Sequence, residues 1–197
     1  MGIYSIKPKF QQTLKPIERL LVKQKVHPTY INVAALATSL LGGYVLWQNI
    51  YLWFIPIMAF VRTALNALDG MVARKLKVKN QGYGEVLNEF FDRISDAGIF
   101  FGLALAPYTS LVLGSVTTIV VLLNSYLSIV SKAAGGKRQY GGVMGKADRM
   151  IYLGIMAVII LLTNNYVWGD YLLWFILAGT TITLAQRFNN IQGELRK

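Results

Sequence analysis

Long apolar runs separated by short polar breaks dominate this 197-residue chain. Six of them, over residues 29–48, 51–74, 84–105, 108–132, 148–164 and 169–188, have about the 17 to 25 residues a helix needs to cross a bilayer. The fifth is the shortest, so its first turn is expected at the interface. Ahead of the first run, Ile3, Ile6, Phe10, Leu14, Ile17, Leu20 and Leu21 mix with Lys7, Lys9, Lys15, Arg19, Lys23 and Lys25. That pattern predicts a helix lying along a membrane surface, with an ordinary solvent-facing helix as the plainer alternative. Pro8 and Pro16 are expected to break or kink it. The fold class that follows is all-α: a polytopic membrane protein with six transmembrane helices plus an N-terminal interfacial amphipathic helix. The domain division is residues 1–26 for the interfacial helix and 27–197 for the membrane domain.

Composition narrows the functional classes. Hydrophobic residues make up 54% of the chain, charged residues 15%, and the mean hydropathy is +0.45, too apolar for a soluble fold of this size. The chain has no Cys, which excludes a disulfide framework and a thiolate metal site. Basic amphipathic sequence precedes the first apolar run, which argues against a cleavable signal. A net charge of +11 suits either nucleic acid or an anionic membrane surface, and its distribution decides between them. Besides the six N-terminal cations, Arg74, Lys75, Lys77 and Lys79 follow the second run. Lys132, Lys137, Arg138, Lys146 and Arg149 lie between the fourth and fifth, and Arg187, Arg196 and Lys197 lie near the end. The loops around Gln48 and Asn49, Pro107 to Ser110 and Asn164 to Asp170 contain none. By the positive-inside rule this is a multi-pass protein of the cell's inner membrane with both termini cytoplasmic. No nucleic-acid partner is expected, because the cations follow topology and no binding fold is apparent.

Carboxylates inside the second and third runs are the chemical signal. Each costs roughly 2.5 to 3.5 kcal/mol near the centre of a spanning helix, so compensation by arginine or a bound cation is required. Arg62, Asn66, Asp69 and Ala73 recur at spacings of four, three and four and form one helical stripe. Asn88, Asp92 and Asp96 form another. Counting inward from Arg74 and from Gly84, the stripes pair by depth as Asp69 with Asn88, Asn66 with Asp92, and Arg62 with Asp96. The first two levels offer oxygen ligands without a cation, which suits a hard divalent ion. The deepest level is either a self-neutralised Arg62–Asp96 pair that fixes helix register, or Asp96 is an additional ligand. Glu89 and Arg93 stand at i, i+4, favouring a salt bridge over a ligand role for Glu89. Gly70 and Ala73 keep one helix face low where a bulky ligand could approach, and Arg74 sits at the membrane edge.

Asp69, Gly70, Ala73, Arg74, Gly84 and Asp92 resemble, in order and spacing, the signature of the CDP-alcohol phosphatidyltransferase family, D-x2-D-G-x2-A-R followed eight or nine residues later by G-x3-D-x3-D. Asn66 and Asn88 stand at its first and third aspartate positions, so the chain looks like an Asn-bearing variant subgroup. The resemblance implies metal-dependent transfer of a lipid-phosphate group from a CDP-lipid to an alcohol, releasing CMP, in phospholipid biosynthesis. It implies Mg2+ or Mn2+, one or two ions, held by Asn66, Asp69, Asn88 and Asp92. It further implies that Gly70, Ala73 and Arg74 contact the CDP moiety, that Asp92 is the catalytic base, and that the chain forms a homodimer. Amide oxygens bring no charge, so the motif supplies two negative charges where the usual pattern supplies four.

Between the fourth and fifth runs, glycines surround Lys137, Arg138, Lys146 and Arg149. This segment resembles more loosely the family's acceptor region, and those cations would favour a phosphorylated acceptor such as glycerol phosphate or inositol phosphate. A basic loop that only sets topology is the alternative. Asp148 is expected to orient a neighbouring cation, His27 to sit at the interface, and Trp47, Trp53, Tyr166, Trp168 and Trp174 to anchor the span ends. Two other functions compete with the enzyme: a catalytically degenerate relative, and an ion-coupled transporter, a class that usually shows internal repeats not found here.

Overall fold

The apolar runs become a ring of helices. The computed structural model describes residues 7–77 and 81–196, with seven α-helices and no strand among them. They are α1 (Lys7–Lys23), α2 (Pro28–Gln48), α3 (Phe54–Leu76), α4 (Gln81–Ala104), α5 (Leu111–Ala133), α6 (Lys146–Thr163) and α7 (Val167–Leu195). The expectations for Ile3, Ile6, Lys79, Lys197 and the Lys7 side chain lie outside the described residues.

Local chemistry marks the ends. His27 caps α2 by accepting the Thr29 N–H at 3.4 Å, and Pro28 fills a position whose N–H needs no partner. Asp148 accepts the Gly145 N–H at 2.7 Å and closes the start of α6. Helices α2, α3 and α6 stop at left-handed residues, Asn49, Lys77 and Asn164.

Packing runs around the circle in the order α2, α4, α5, α7, α6, α3 and back to α2, and α1 lies against α3 from outside. Helices α3 and α4, neighbours in sequence, do not pack on each other, because α2 stands between them. It fits there through glycine: a Cβ on Gly43 would lie 2.2 Å from the Gly98 carbonyl oxygen, and one on Gly102 would lie 2.2 Å from that of Gly43. Small residues of this kind let helix backbones touch. One end of the ring is filled by an apolar cluster drawn from all six helices, including Leu46, Met58, Phe100, Val121, Met156 and Leu173. The other end, where α3, α5 and α7 finish and α4 and α6 begin, stays open around a cavity.

The six runs correspond in order to α2 through α7, with one marked extension: α7 continues from 188 to Leu195. Helix α1 corrects the expected break, because it is continuous through Pro16. Pro8 falls in its first turn, where proline costs nothing. Phe10 packed edge-on against Phe60, ring centroids 6.0 Å apart, and buried Leu14 tie the helix to α3 on the N-terminal side of Pro16. By length and apolarity four helices among the described residues can cross a membrane: α2, α3, α5 and α7. Helices α4 and α6 are denser in charge, with Glu85, Glu89, Asp92, Arg93 and Asp96 on α4 and Lys146, Asp148 and Arg149 on α6, which lowers their hydropathy.

Candidate active site

Charged groups from four of the ring helices converge on the open end, in a cavity of about 1250 Å3. Helix α3 contributes Arg62, Asn66, Asp69 and Gly70; α4 contributes Asn88, Glu89, Asp92 and Arg93. Lys146 and Arg149 enter from the first turn of α6, Arg138 from the loop before it, and Arg187 from α7. The two stripes therefore face each other, but across a gap rather than through direct helix packing.

The deepest level is an ion pair. Arg62 and Asp96 are both fully buried, and Arg62 Nη2 lies 2.5 Å from Asp96 Oδ1. Arg149 Nη2 approaches the second Asp96 oxygen at 3.7 Å, and Arg62 also donates to the Met150 sulfur at 2.8 Å. This network joins α3, α4 and α6 across the ring, and Arg62 and Asp96 meet as their depths anticipated.

Above it the two carboxylates differ. Asp92 is ion-paired with Lys146, and Arg93 Nη2 stands 3.9 Å from its other oxygen. Asp69, buried to 6% exposure, accepts the neighbouring Gly70 N–H at 2.5 Å and forms no ion pair among the described residues, with Lys146 and Arg74 acting on it from longer range. Asn66 and Asn88 line the same cavity. Glu89 pairs with Arg138 and stands 3.9 Å from Arg93, as its spacing predicted for the second contact. Arg74 is exposed, and its Nη1 lies 3.3 Å from where a Gly70 Cβ would be. Ala73, Arg74 and Lys137 are not among the cavity's lining residues.

The Gly-rich loop of residues 134–145 is strapped down by α5 and α7. Ser131 donates to the Lys137 carbonyl at 2.9 Å and Ser128 to that of Gln139 at 2.7 Å. Glu194 accepts the Lys137 N–H at 2.9 Å and the Gln139 amide at 3.1 Å. Arg187 donates to the carbonyls of Gly141 and Asn124, both at 3.0 Å. Gly142 has φ of +130°, and a Cβ there would come within 2.2 Å of Thr183. The extension of α7 thus has a structural use: it carries Glu194 to this loop.

Several of these residues escaped sequence reasoning. By position Arg187 counts towards topology, yet it lies within the apolar run over 169–188, where a cation tends to face the bundle interior. Glu194 and Gln139 gave no signal, because their contacts span more than fifty residues. Phe10 of α1 also lines the cavity. His27 and Asp148 prove to be helix caps.

The donor set is all oxygen: two carboxylates and two amides. No group of three or more His, Cys, Asp or Glu gathers to hold an ion among the described residues, since two of the four stripe oxygens are amides. Two carboxylates completed by substrate phosphates are the usual protein contribution to a magnesium-type site, so the residues fit such an ion.

Comparison with known proteins agrees with this architecture. Residues 25–184 match the sequence model of the family described as CDP-alcohol phosphatidyltransferase. The chain is 35% identical over 179 residues to inner membrane protein YnbA of Escherichia coli, covering 89% of each. It is 30% identical over 154 residues to archaetidylinositol phosphate synthase of Pyrococcus horikoshii, covering 78% of this chain and 80% of that one. Its fold is similar to that of Mycobacterium tuberculosis phosphatidylinositol phosphate synthase, solved with CDP-DAG bound: TM-score 0.76, 22% identity, 91% of this chain and 93% of that one. The same enzyme was solved with manganese and citrate, at TM-score 0.73 and 21% identity, covering 91% and 88%. With the family model spanning most of its length, the chain belongs to the CDP-alcohol phosphatidyltransferase family.

Proposed function

We propose that this protein transfers a phosphatidyl or related lipid-phosphate group from a CDP-lipid to a small phosphorylated alcohol, releasing CMP, at the cavity of the helix ring. One observation carries the reading: the cavity is polar at the open end, around Asp69 and Asp92, and apolar along α3 and α6, where Pro56, Phe60, Ile155 and Val158 line it. A molecule with a diphosphate head and a hydrocarbon tail matches that division. The CDP-DAG bound to the Mycobacterium tuberculosis enzyme supports it.

The acceptor hydroxyl oxygen attacks the phosphorus that bears the lipid. The new P–O bond forms as the bond to CMP breaks, and the hydroxyl proton passes to Asp92, the base. Asp69 and Asp92, with the amide oxygens of Asn66 and Asn88, would hold Mg2+ or Mn2+. Manganese in the Mycobacterium tuberculosis enzyme supports a divalent ion. When bound, such an ion neutralises charge on the diphosphate and on the departing CMP. Gly70 leaves room beside the α3 backbone for the cytidine diphosphate, Ala73 keeps the next turn low, and Arg74, lying over Gly70, is the nearby cation for it. Arg138, Lys146 and Arg149 line the side from which the acceptor phosphate would be held, and Lys137 stands on the same loop. Arg187 joins them, because its partners are carbonyls rather than a carboxylate.

In this reading all six helices α2 to α7 span the inner membrane, with the cavity and both chain ends on the cytoplasmic side. Helix α1 forms the interfacial element of a segment reaching residue 26, ahead of the membrane domain over 27–197. The asymmetric distribution of Lys and Arg supports that orientation. Asn66 and Asn88 define a variant subgroup with a less negative motif, and the protein works as a homodimer. The test is CMP release by purified protein in mixed micelles with CDP-diacylglycerol, Mg2+ or Mn2+, and a panel of glycerol, inositol, glycerol phosphate and inositol phosphate. Release is expected with a phosphorylated acceptor and should fall about 10²- to 10⁴-fold in Asp92→Ala. No CMP from any combination would overturn the proposal.

A further inference from the structure

Asp69 and Asp92 are equivalent in the motif but not in their surroundings. Asp92 holds the ammonium of Lys146, in an ion pair whose side chains are 15% and 27% exposed. Asp69 is buried and forms no ion pair among the described residues, so Lys146 and Arg74 act on it only from longer range. The other two stripe positions, Asn66 and Asn88, carry no charge.

From this asymmetry we infer that Lys146 is a built-in cation of the site, so that the chain takes one divalent ion, centred on Asp69, instead of two. The inference rests on the proposed reading of Asp69 and Asp92 as the groups facing the CDP-lipid. Charge makes the argument. Two carboxylates and one ammonium leave a net charge of −1 among the four motif positions and Lys146. One divalent ion reverses that, and substrate phosphates then balance it. A second ion would have to displace Lys146 from Asp92 and sit beside the freed ammonium, with only a neutral amide, Asn88, added to its coordination.

The position of Lys146 gives independent support. It is the first residue of α6, where the unpaired N–H groups of a helix already present positive charge and a cation is disfavoured. A lysine at that place is accounted for by what it reaches, the carboxylate of Asp92 on the facing helix.

Manganese binding to the full chain in detergent, with CDP as soluble probe, tests this through the free-Mn2+ paramagnetic resonance signal. Wild type is expected to bind one Mn2+ per chain and Asp69→Asn none. Lys146→Met should bind Mn2+ at least about tenfold more tightly, since a competing charge a few ångströms away is removed. Lys146→Arg, which keeps the charge, should retain wild-type stoichiometry and an affinity close to it. The combined change Lys146→Met with Asn88→Asp should admit a second ion. Two Mn2+ per wild-type chain, no Mn2+ bound, or an unchanged affinity in a folded Lys146→Met protein would overturn the inference. The two failures differ: two ions in an enzyme that releases CMP count against this inference alone, whereas absence of CMP counts against the catalytic reading.

Discussion

Removing Asp96 should damage the protein more than removing Arg62, although the two form one ion pair. Both are fully buried, and Asp96 Oδ1 lies 2.5 Å from Arg62 while its other oxygen faces Arg149 at 3.7 Å. Breaking a buried pair by deleting one partner costs about 3 to 5 kcal/mol, because the survivor keeps its desolvation cost without compensation. Arg62→Ala leaves one carboxylate that still has Arg149 nearby, so a loss near 3 kcal/mol is expected. Asp96→Ala leaves two buried guanidinium groups with no carboxylate between them, which puts the loss at about 5 kcal/mol or above. Replacing all three charges, as Arg62→Met, Asp96→Leu and Arg149→Met together, leaves nothing charged and uncompensated there. That protein should stay within about 2 kcal/mol of wild type or exceed it, although it loses its proposed acceptor arginine. Unfolding by SDS in maltoside micelles, followed by the fluorescence of the four tryptophans, measures each difference. Single variants both within about 1 kcal/mol of wild type would refute the buried-pair reasoning, as would a triple variant as unstable as Asp96→Ala.

Other outcomes follow from particular contacts. Gly43→Leu should destabilise the fold by several kcal/mol in the same titration, since its Cβ alone would overlap the Gly98 carbonyl; an unchanged midpoint would show that α2 and α4 do not touch there. Glu194→Ala releases the Lys137 N–H and the Gln139 amide and should raise the acceptor KM several-fold while leaving Mn2+ affinity unaltered. An unchanged KM would separate the loop from acceptor binding. Gly142→Val combines a positive φ with contact at Thr183 and should impair the same KM together with thermal stability, read by tryptophan fluorescence; a variant matching wild type would mean the loop relaxes freely.

How legible this was in the sequence depended on the range of the contact. Helices α2 to α7 were visible because each is a run of apolar residues whose length the bilayer sets, and their order survived intact. The charged stripes were visible because 3.6-residue periodicity places Arg62, Asn66 and Asp69 on one face of α3. Depth counting worked for Arg62 and Asp96, since antiparallel neighbours share a common origin at their turn. What counting by depth leaves open is the width between the two helices: α3 and α4 make no direct packing contact. Glycines at 43, 98 and 102 give α2 its place between them, a side-by-side choice that no one-dimensional period encodes.

Lys146 shows why the second half of the site was harder to read. In sequence it is one cation among several in a basic loop, and nothing there distinguishes it from Lys137, nine residues earlier. In space one meets Asp92 and the other lies outside the cavity lining. Selection between them is made by the start of α6: the Asp148 cap fixes where the helix begins, and so which lysine stands on its first turn facing α4. The ring then brings that turn opposite α4 without contact between their backbones, leaving the width of a cavity to be bridged by a long side chain. A lysine bridges it to Asp92 and forms no ion pair with Asp69, so the difference between the two carboxylates follows from where a single helix starts.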